Sequence, residues 1–211
     1  MSDALIAPTY SEIARLHRHF RLLNGSPEAL EYLLATPGPT RAQLQTWLGT
    51  PANLTAFQQL ISTPSGAAAM CASGTAMAAV AASSTAMAEL LNSSVARGAI
   101  WASATALAAI QNAPSAVLDA LQSHPRVSMM NNTPSNLQSA FISGKSMTLR
   151  VRNTGGSDTN YMRTLAGGSG TGDDTFTTST SWAARVRAYN NLTHYSWSNN
   201  YTFQAYVVNM N

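Results

Sequence analysis

Charge is what this sequence has least of. Of 211 residues, 12 are Lys or Arg and 9 are Asp or Glu, a charged share of 10%, against roughly 25% in an ordinary soluble domain. The hydrophobic share, 45%, is ordinary, so Ala, Ser, Thr, Asn and Gly stand where Lys and Glu usually do. This excludes a chain kept unfolded by its own charge. The net charge of +3 is too small for a dedicated nucleic-acid binder, and no nucleic-acid partner is expected. Lysine is nearly missing: Lys145 stands alone beside eleven arginines. Arg is favoured where a cation is lodged in an interface, and a surface poor in Lys, Glu and Asp has the composition of an interface. An arginine-biased, GC-rich genome gives the same imbalance.

The one cysteine, Cys71, cannot form an internal disulfide, and its small apolar neighbours predict a buried thiol. Residues 1–10 lack a cationic segment followed by an apolar one, so no secretory signal is expected. Sequons such as those at Asn53, Asn191 and Asn200 are then read as chance products of an Asn- and Thr-rich chain. One uncharged run, 67–88, has the length of a membrane span. It is interrupted by Ser73-Gly74-Thr75 and Ser83-Ser84-Thr85 and is otherwise largely Ala, which contributes little transfer free energy, so no membrane insertion is expected.

Catalytic signals are equally sparse. Gly144-Lys145-Ser146 imitates the end of a phosphate-binding loop, but Ser139 occupies the position of the required first Gly. His17 and His19 are two apart on a helical segment and face different sides, unlike a chelating i, i+4 pair. Asp173-Asp174 in a Gly-rich loop falls short of the alternating ligands of a calcium loop and reads as a turn. The nine carboxylates offer no pair for acid/base work, and no Gly-x-Ser-x-Gly elbow occurs. The reading is a non-enzyme without cofactor or metal.

What the sequence does have is a repeat. Written in tens from position 64 it runs PSGAAAMCAS, GTAMAAVAAS, STAMAELLNS, SVARGAIWAS, ATALAAIQNA, PSAVLDALQS. The fourth position holds Met77, Met87 and Leu107, the seventh Val80, Leu90, Ile100 and Ile110, and most blocks close on Ser. Ten residues at 100° each fall about 80° short of three turns, so a stripe of this period would wind around a straight helix. The alternative is a separate short helix per block, started by the Ser/Thr cluster as N-cap. Proline agrees: Ser26-Pro27, Thr50-Pro51, Thr63-Pro64 and Thr133-Pro134 are helix starts with Pro at N1, and Pro114 and Pro125 fall near block starts. Longer versions of the unit begin at Ser26, Thr40, Thr50 and Thr133. Residues 26–143 are therefore read as an α-solenoid of short capped helices.

Before it, residues 11–23 are expected to form an amphipathic helix with Ile13, Leu16, Phe20 and Leu23 on one face and Arg15, Arg18 and Arg21 elsewhere. These arginines are candidates for docking onto an acidic partner; a capping helix that merely exposes them is the alternative. From Lys145 the repeat disappears. Residues 146–153 alternate apolar and polar, and 176–180, 183–189 and 201–209 are further strand candidates, with Gly155-Gly156, 167–172 and Asn190-Asn191 as turns. Four or five strands suggest a small antiparallel β-sandwich or jelly-roll-like domain. Aromatic residues gather here, and Trp182, Tyr195, Trp197 and Tyr201 are the candidate binding residues, against the plainer reading that they line the sheet. The expected class is α+β: an N-terminal helix (1–25), a short-helix repeat domain (26–143) and a C-terminal β domain (144–211).

The tandem blocks GTAMAAVAAS and STAMAELLNS, with the decayed copies SVARGAIWAS and ATALAAIQNA, resemble the Ala-Met-Ala repeats of structural proteins of tailed bacteriophages, which carry a C-terminal β domain after the repeats. The resemblance covers residues 64–123. It implies a virion structural protein, tail-associated or part of a fibre, located in the virion. It also implies other virion proteins as partners, a homo-oligomer with a trimer favoured, and a β domain that meets a host-surface glycan or protein. A capsid decoration or head-fibre protein and a free carbohydrate-binding module are the alternatives.

Overall fold

The computed structural model describes Leu48 and residues 51–132, 140–164, 174–196 and 201–211. The expected N-terminal helix with Arg15, Arg18 and Arg21, and the units expected from Ser26 and Thr40 apart from Leu48, lie outside them. The architecture is α+β, helices first and an antiparallel sheet after them. The helices are α1 (Pro51–Ile61), α2 (Pro64–Ala72), α3 (Gly74–Val80), α4 (Ser84–Asn92), α5 (Ser94–Ala102), α6 (Ala104–Gln111) and α7 (Ser115–Ala120), closed by a 3₁₀ turn at Leu121–Ser123.

Each break falls where the ten-residue pattern places it. Thr63, Ser73, Ser83, Ser93 and Ser103 are N-caps with extended backbone, and each side-chain oxygen accepts from the N–H three residues on, at Gly66, Ala76, Ala86, Ala96 and Ala106. Such a cap contributes about 1 kcal/mol. Ser73, Ser93 and Ser103 also end the preceding helix, so a single residue separates consecutive blocks. Pro64 is at N1 as expected. Pro114 does break the helix, but as an N-cap without a side-chain bond.

Two of the cap hydroxyls also bond across blocks. Ser93 Oγ donates to the carbonyl of Ile61 at 3.0 Å, and Ser103 Oγ donates to the carbonyl of Cys71 at 2.7 Å. These carbonyls belong to the last turns of helices three blocks earlier, where no intrahelical donor exists. The packing follows the same step: α1 meets α4, α2 meets α5, α3 meets α6 and α4 meets α7. Three blocks thus return the chain over itself. From Gly66 to Ile110 the buried positions are the third, the seventh and, except at the half-buried Leu107, the fourth of each block, as in Ala86, Met87 and Leu90, with Cys71, Ala81 and Leu91 at the eighth. Burial pushes the Cys71 thiol up to about 12, an inert core thiol.

Gly66 occupies the third position where later blocks have Ala. A Cβ there would lie 2.3 Å from the Leu60 carbonyl oxygen and 2.9 Å from Leu60 Cδ1. Because the nearer obstacle is backbone, Gly66→Ala is expected to destabilise by about 2 kcal/mol or more, read as a lower urea midpoint; an unchanged midpoint would show that α1 and α2 separate freely.

The helices end earlier than the boundary expected at 143/144. Pro125 lies in a turn rather than at a helix start, Val127–Asn132 is strand β1, and the unit expected from Thr133 is strand from Ala140 on. The remaining strands are β2 (Ala140–Thr154), β3 (Asp158–Thr164), β4 (Asp174–Thr178), β5 (Ala183–Ala184), β6 (Ala188–Ser196) and β7 (Thr202–Asn209). All pairings are antiparallel, in the order β1-β7-β2-β6-β3-β4, with β5 on β2. The described strands therefore make one bonded sheet. Gly155-Gly156 does form a turn, between β2 and β3. Asn190-Asn191 does not: both lie within β6, opposite a bulge in β2. There Asn191 and Gly144 have positive φ (56° and 83°), and Asn191 Oδ1 accepts from the Gly144 N–H, which lets the strand continue.

The sheet is rolled. In a flat sheet β4 and β7, four places apart, would be about 19 Å from each other, yet the Phe176 and Phe203 rings are 6.2 Å apart. The inner face closes over Val151, Met162, Leu192, Phe203 and Val207. The other face packs on the helices, with Met147, Leu149, Val208 and Met210 sharing one core with α1 to α7. At the eighth block position, Trp101 Nε1 donates to the Tyr189 carbonyl, while Gln111 donates to the Ala184 carbonyl and accepts from the Val186 N–H. Those residues stand where Leu91 and Ala81 fill the helical core, so the repeat changes residue where it changes neighbour.

Inside the roll, His194 is fully buried and stacked 3.7 Å from Phe203. Asn132 Nδ2 donates to its Nδ1 at 2.8 Å, its Nε2 donates to Asn160 Oδ1 at 3.0 Å, and Asn160 donates to Thr178 Oγ1. Burial lowers its pKa from 6.5 to about 3. The unfolded chain therefore takes up this proton near pH 6.5 and the folded chain only near pH 3. Stability is complete above pH 6.5 and falls with pH through that window, at up to about 1.4 kcal/mol per unit. Denaturant titrations at pH 7, 5 and 4 should show this slope and should show it flattened in His194→Gln; equal slopes would remove His194 as its source.

Candidate binding face

The face of the sheet that meets the helices is only partly covered, and its register can be read in rungs. Val127, Val208 and Met147 lie across β1, β7 and β2 under the helices. One rung outward are Met129, Tyr206 and Arg150, and beyond them Asn131, Gln204 and Arg152. The helical cover reaches as far as Asp119, which pairs with Arg150; Arg150 also donates to the Trp182 carbonyl. Past that pair no described helix covers the face, and Met129, 45% exposed, is the one exposed large hydrophobic side chain among the described residues.

Trp182 sits on this outer part. The Arg152 guanidinium lies over its ring at 4.6 Å, and Tyr206 is tilted against it at 4.7 Å. Arg152 Nε donates to Gln204 Oε1 at 2.7 Å, and Gln204 Nε2 donates to Asn131 Oδ1 at 2.7 Å. Arg152 is thus held twice, by a cation–π contact and by a hydrogen bond. The group can recognise planar or acceptor-rich chemistry. It contains no nucleophile and no base.

Of the expected binding residues, Trp182 alone is placed on this face. Tyr201 packs on the β2–β3 turn, where a Cβ at Gly156 would lie 2.3 Å from its Cζ, so it belongs to that turn. Tyr195 pairs through its backbone with Tyr161; its side chain and Trp197 lie outside the described residues. Tyr206 belongs to the aromatic run 194–206 that the sequence offers as a face, whereas Arg152, Gln204 and Asn131 went unrecognised in the sequence. The alternation Arg150, Arg152 and Gln204, Tyr206 signals a shared face, but only register shows that the two pairs are neighbours.

No group of three or more His, Cys, Asp or Glu that could hold a metal occurs among the described residues, and none of their helices is long and apolar enough to cross a membrane. No protein-family model matches the chain, and no curated protein matches it.

Proposed function

We propose that this chain is a structural protein of a bacteriophage particle, tail-associated or part of a fibre, in which a helical scaffold carries a sheet that binds a host surface or a neighbouring subunit. The observation that carries the reading is the repeat: recurring ten-residue blocks, five of them capped by Ser or Thr, with two caps bonded to helices three blocks back. On this reading the blocks form a short α-solenoid, a rigid spacer, and the rolled sheet is the two-layered β domain at its end. The Ala-Met-Ala resemblance supports the phage assignment, and the charge-poor helical surface supports contact with other virion proteins or with copies of itself.

Particles produced without this chain are expected to lose assembly or host adsorption. Normal assembly and adsorption would overturn the proposal. The purified chain is expected to run as a homo-oligomer, a trimer by preference, and a 22.3 kDa monomer at assembly concentrations would count against it. Carbohydrate binding outside a particle is the second reading, favoured by Trp182 and its hydrogen-bonding neighbours on the open face.

A further inference from the structure

We infer that the outer rung of the open face is a binding site for a carboxylate borne by an acidic glycan. The inference rests on the reading of the sheet as the binding part of the protein. The ladder Asn131–Gln204–Arg152 has one polarity. Arg152 can only donate, which turns the Gln204 carbonyl oxygen toward it; the Gln204 amide then donates to Asn131, whose own NH₂ is left pointing onward. What the ladder offers at its ends is therefore donors: the Asn131 amide at one end and the two terminal Arg152 nitrogens at the other. Asn131 is exposed and Arg152 half-buried.

A neutral sugar hydroxyl both gives and takes hydrogen bonds, whereas a carboxylate only takes them, and a guanidinium meets it with two parallel bonds. Arg152 is prepared for this. Its Nε is occupied by Gln204 and its plane lies on Trp182, so the terminal pair is oriented before a ligand arrives. The ion pair on this face uses Arg150 and Asp119; Arg152 has no carboxylate partner among the described residues. Tyr206, Trp182 and Met129 supply an apolar flank for a sugar ring, and the chain from residue 124 onward carries seven basic and three acidic side chains, which draws in a polyanion.

The test is binding of the full chain to alginate, polygalacturonate and hyaluronan, with methyl-esterified polygalacturonate and polyphosphate as comparisons. At least one carboxylated polymer should bind, esterification should weaken polygalacturonate binding about tenfold or more where that polymer binds, and polyphosphate should bind less tightly. Arg152→Gln and Arg152→Lys should each lose about tenfold, Lys because it keeps the charge without the fork. Unchanged melting of both variants separates this loss from misfolding. Absence of binding to all three polymers, equal binding of the ester or polyphosphate, or full binding by Arg152→Lys would overturn the inference. Incorporation of Arg152→Gln into particles is scored separately. A chain found in particles that binds no glycan loses this site alone, and a chain that binds glycan but is absent from particles loses the virion reading alone.

Discussion

Replacing Arg97 with Met is expected to destabilise the protein by about 3 kcal/mol, although Met is the residue that the repeat itself places there. Arg97 stands at the fourth block position, in register with Met77 and Met87, and like them it is buried, at 2% exposure. Its guanidinium donates to the carbonyls of Leu91 and Asn92, at the end of α4, and to the main-chain carbonyl of Asn211, beyond the last strand. One side chain thus joins two helices and the sheet. Burial and the nearby Arg126 lower its pKa, but the group stays charged across ordinary pH.

The sign of the effect comes from what is left behind. Met avoids the desolvation of a cation, worth several kcal/mol, but it leaves three carbonyls without their donor, and hydrogen bonds to a charged group contribute about 1.5–3 kcal/mol each. The second effect is the larger, and a fall of about 6–12 °C in Tm follows for a chain of this size. Arg97→Lys should recover little, because a single ammonium cannot span the three acceptors. A Met variant as stable as the parent would show that the carbonyls find water.

The second large effect is expected from Ser93→Ala combined with Ser103→Ala. Each change removes a cap worth about 1 kcal/mol and the hydroxyl donor to a carbonyl three blocks back, where an unmet buried acceptor costs about 1–3 kcal/mol. The sites stand at opposite ends of α5 and share no hydrogen-bond partner, so their effects should nearly add, to roughly 4–8 kcal/mol. Ser103→Asp separates the two roles: its carboxylate still caps Ala106 but has no proton for Cys71. If Asp restores full stability at position 103, the contact between blocks contributes nothing beyond the cap.

Legibility along the chain follows the range of the interactions. Caps and helix lengths from Thr63 to Gln111 were readable because a cap bonds only three residues away. The step of three blocks was not, since Ser93 to Ile61 is a contact over 32 residues and ten-residue spacing does not specify the turn at each break. Pro125 misled because Ser, His and Pro before a strand resemble a helix start. Asn190-Asn191 misled because Asn accepts positive φ in a bulge as well as in a turn. On the binding face, Trp182 was visible as an aromatic residue among turns. Arg152 and Gln204 were not, because their meaning lies in a pairing set by the bulge between Thr148 and Arg150, which brings Gln204 opposite Arg152.

That position has a bearing on function. The bulge places Arg150 beneath Asp119 at the edge of the helical cover and Arg152 one rung beyond it, so one arginine holds the two halves together and the next is open to a partner. On the proposed reading the shortage of charge in the repeat and the surplus of arginine in the sheet serve separate roles, packing in the first and recognition in the second.

The most direct test of the virion assignment is quantitative mass spectrometry of purified, intact particles. Several copies per particle, in a number that matches a symmetric head or tail structure, are expected; particles that lack the chain while the infected lysate contains it would contradict the account.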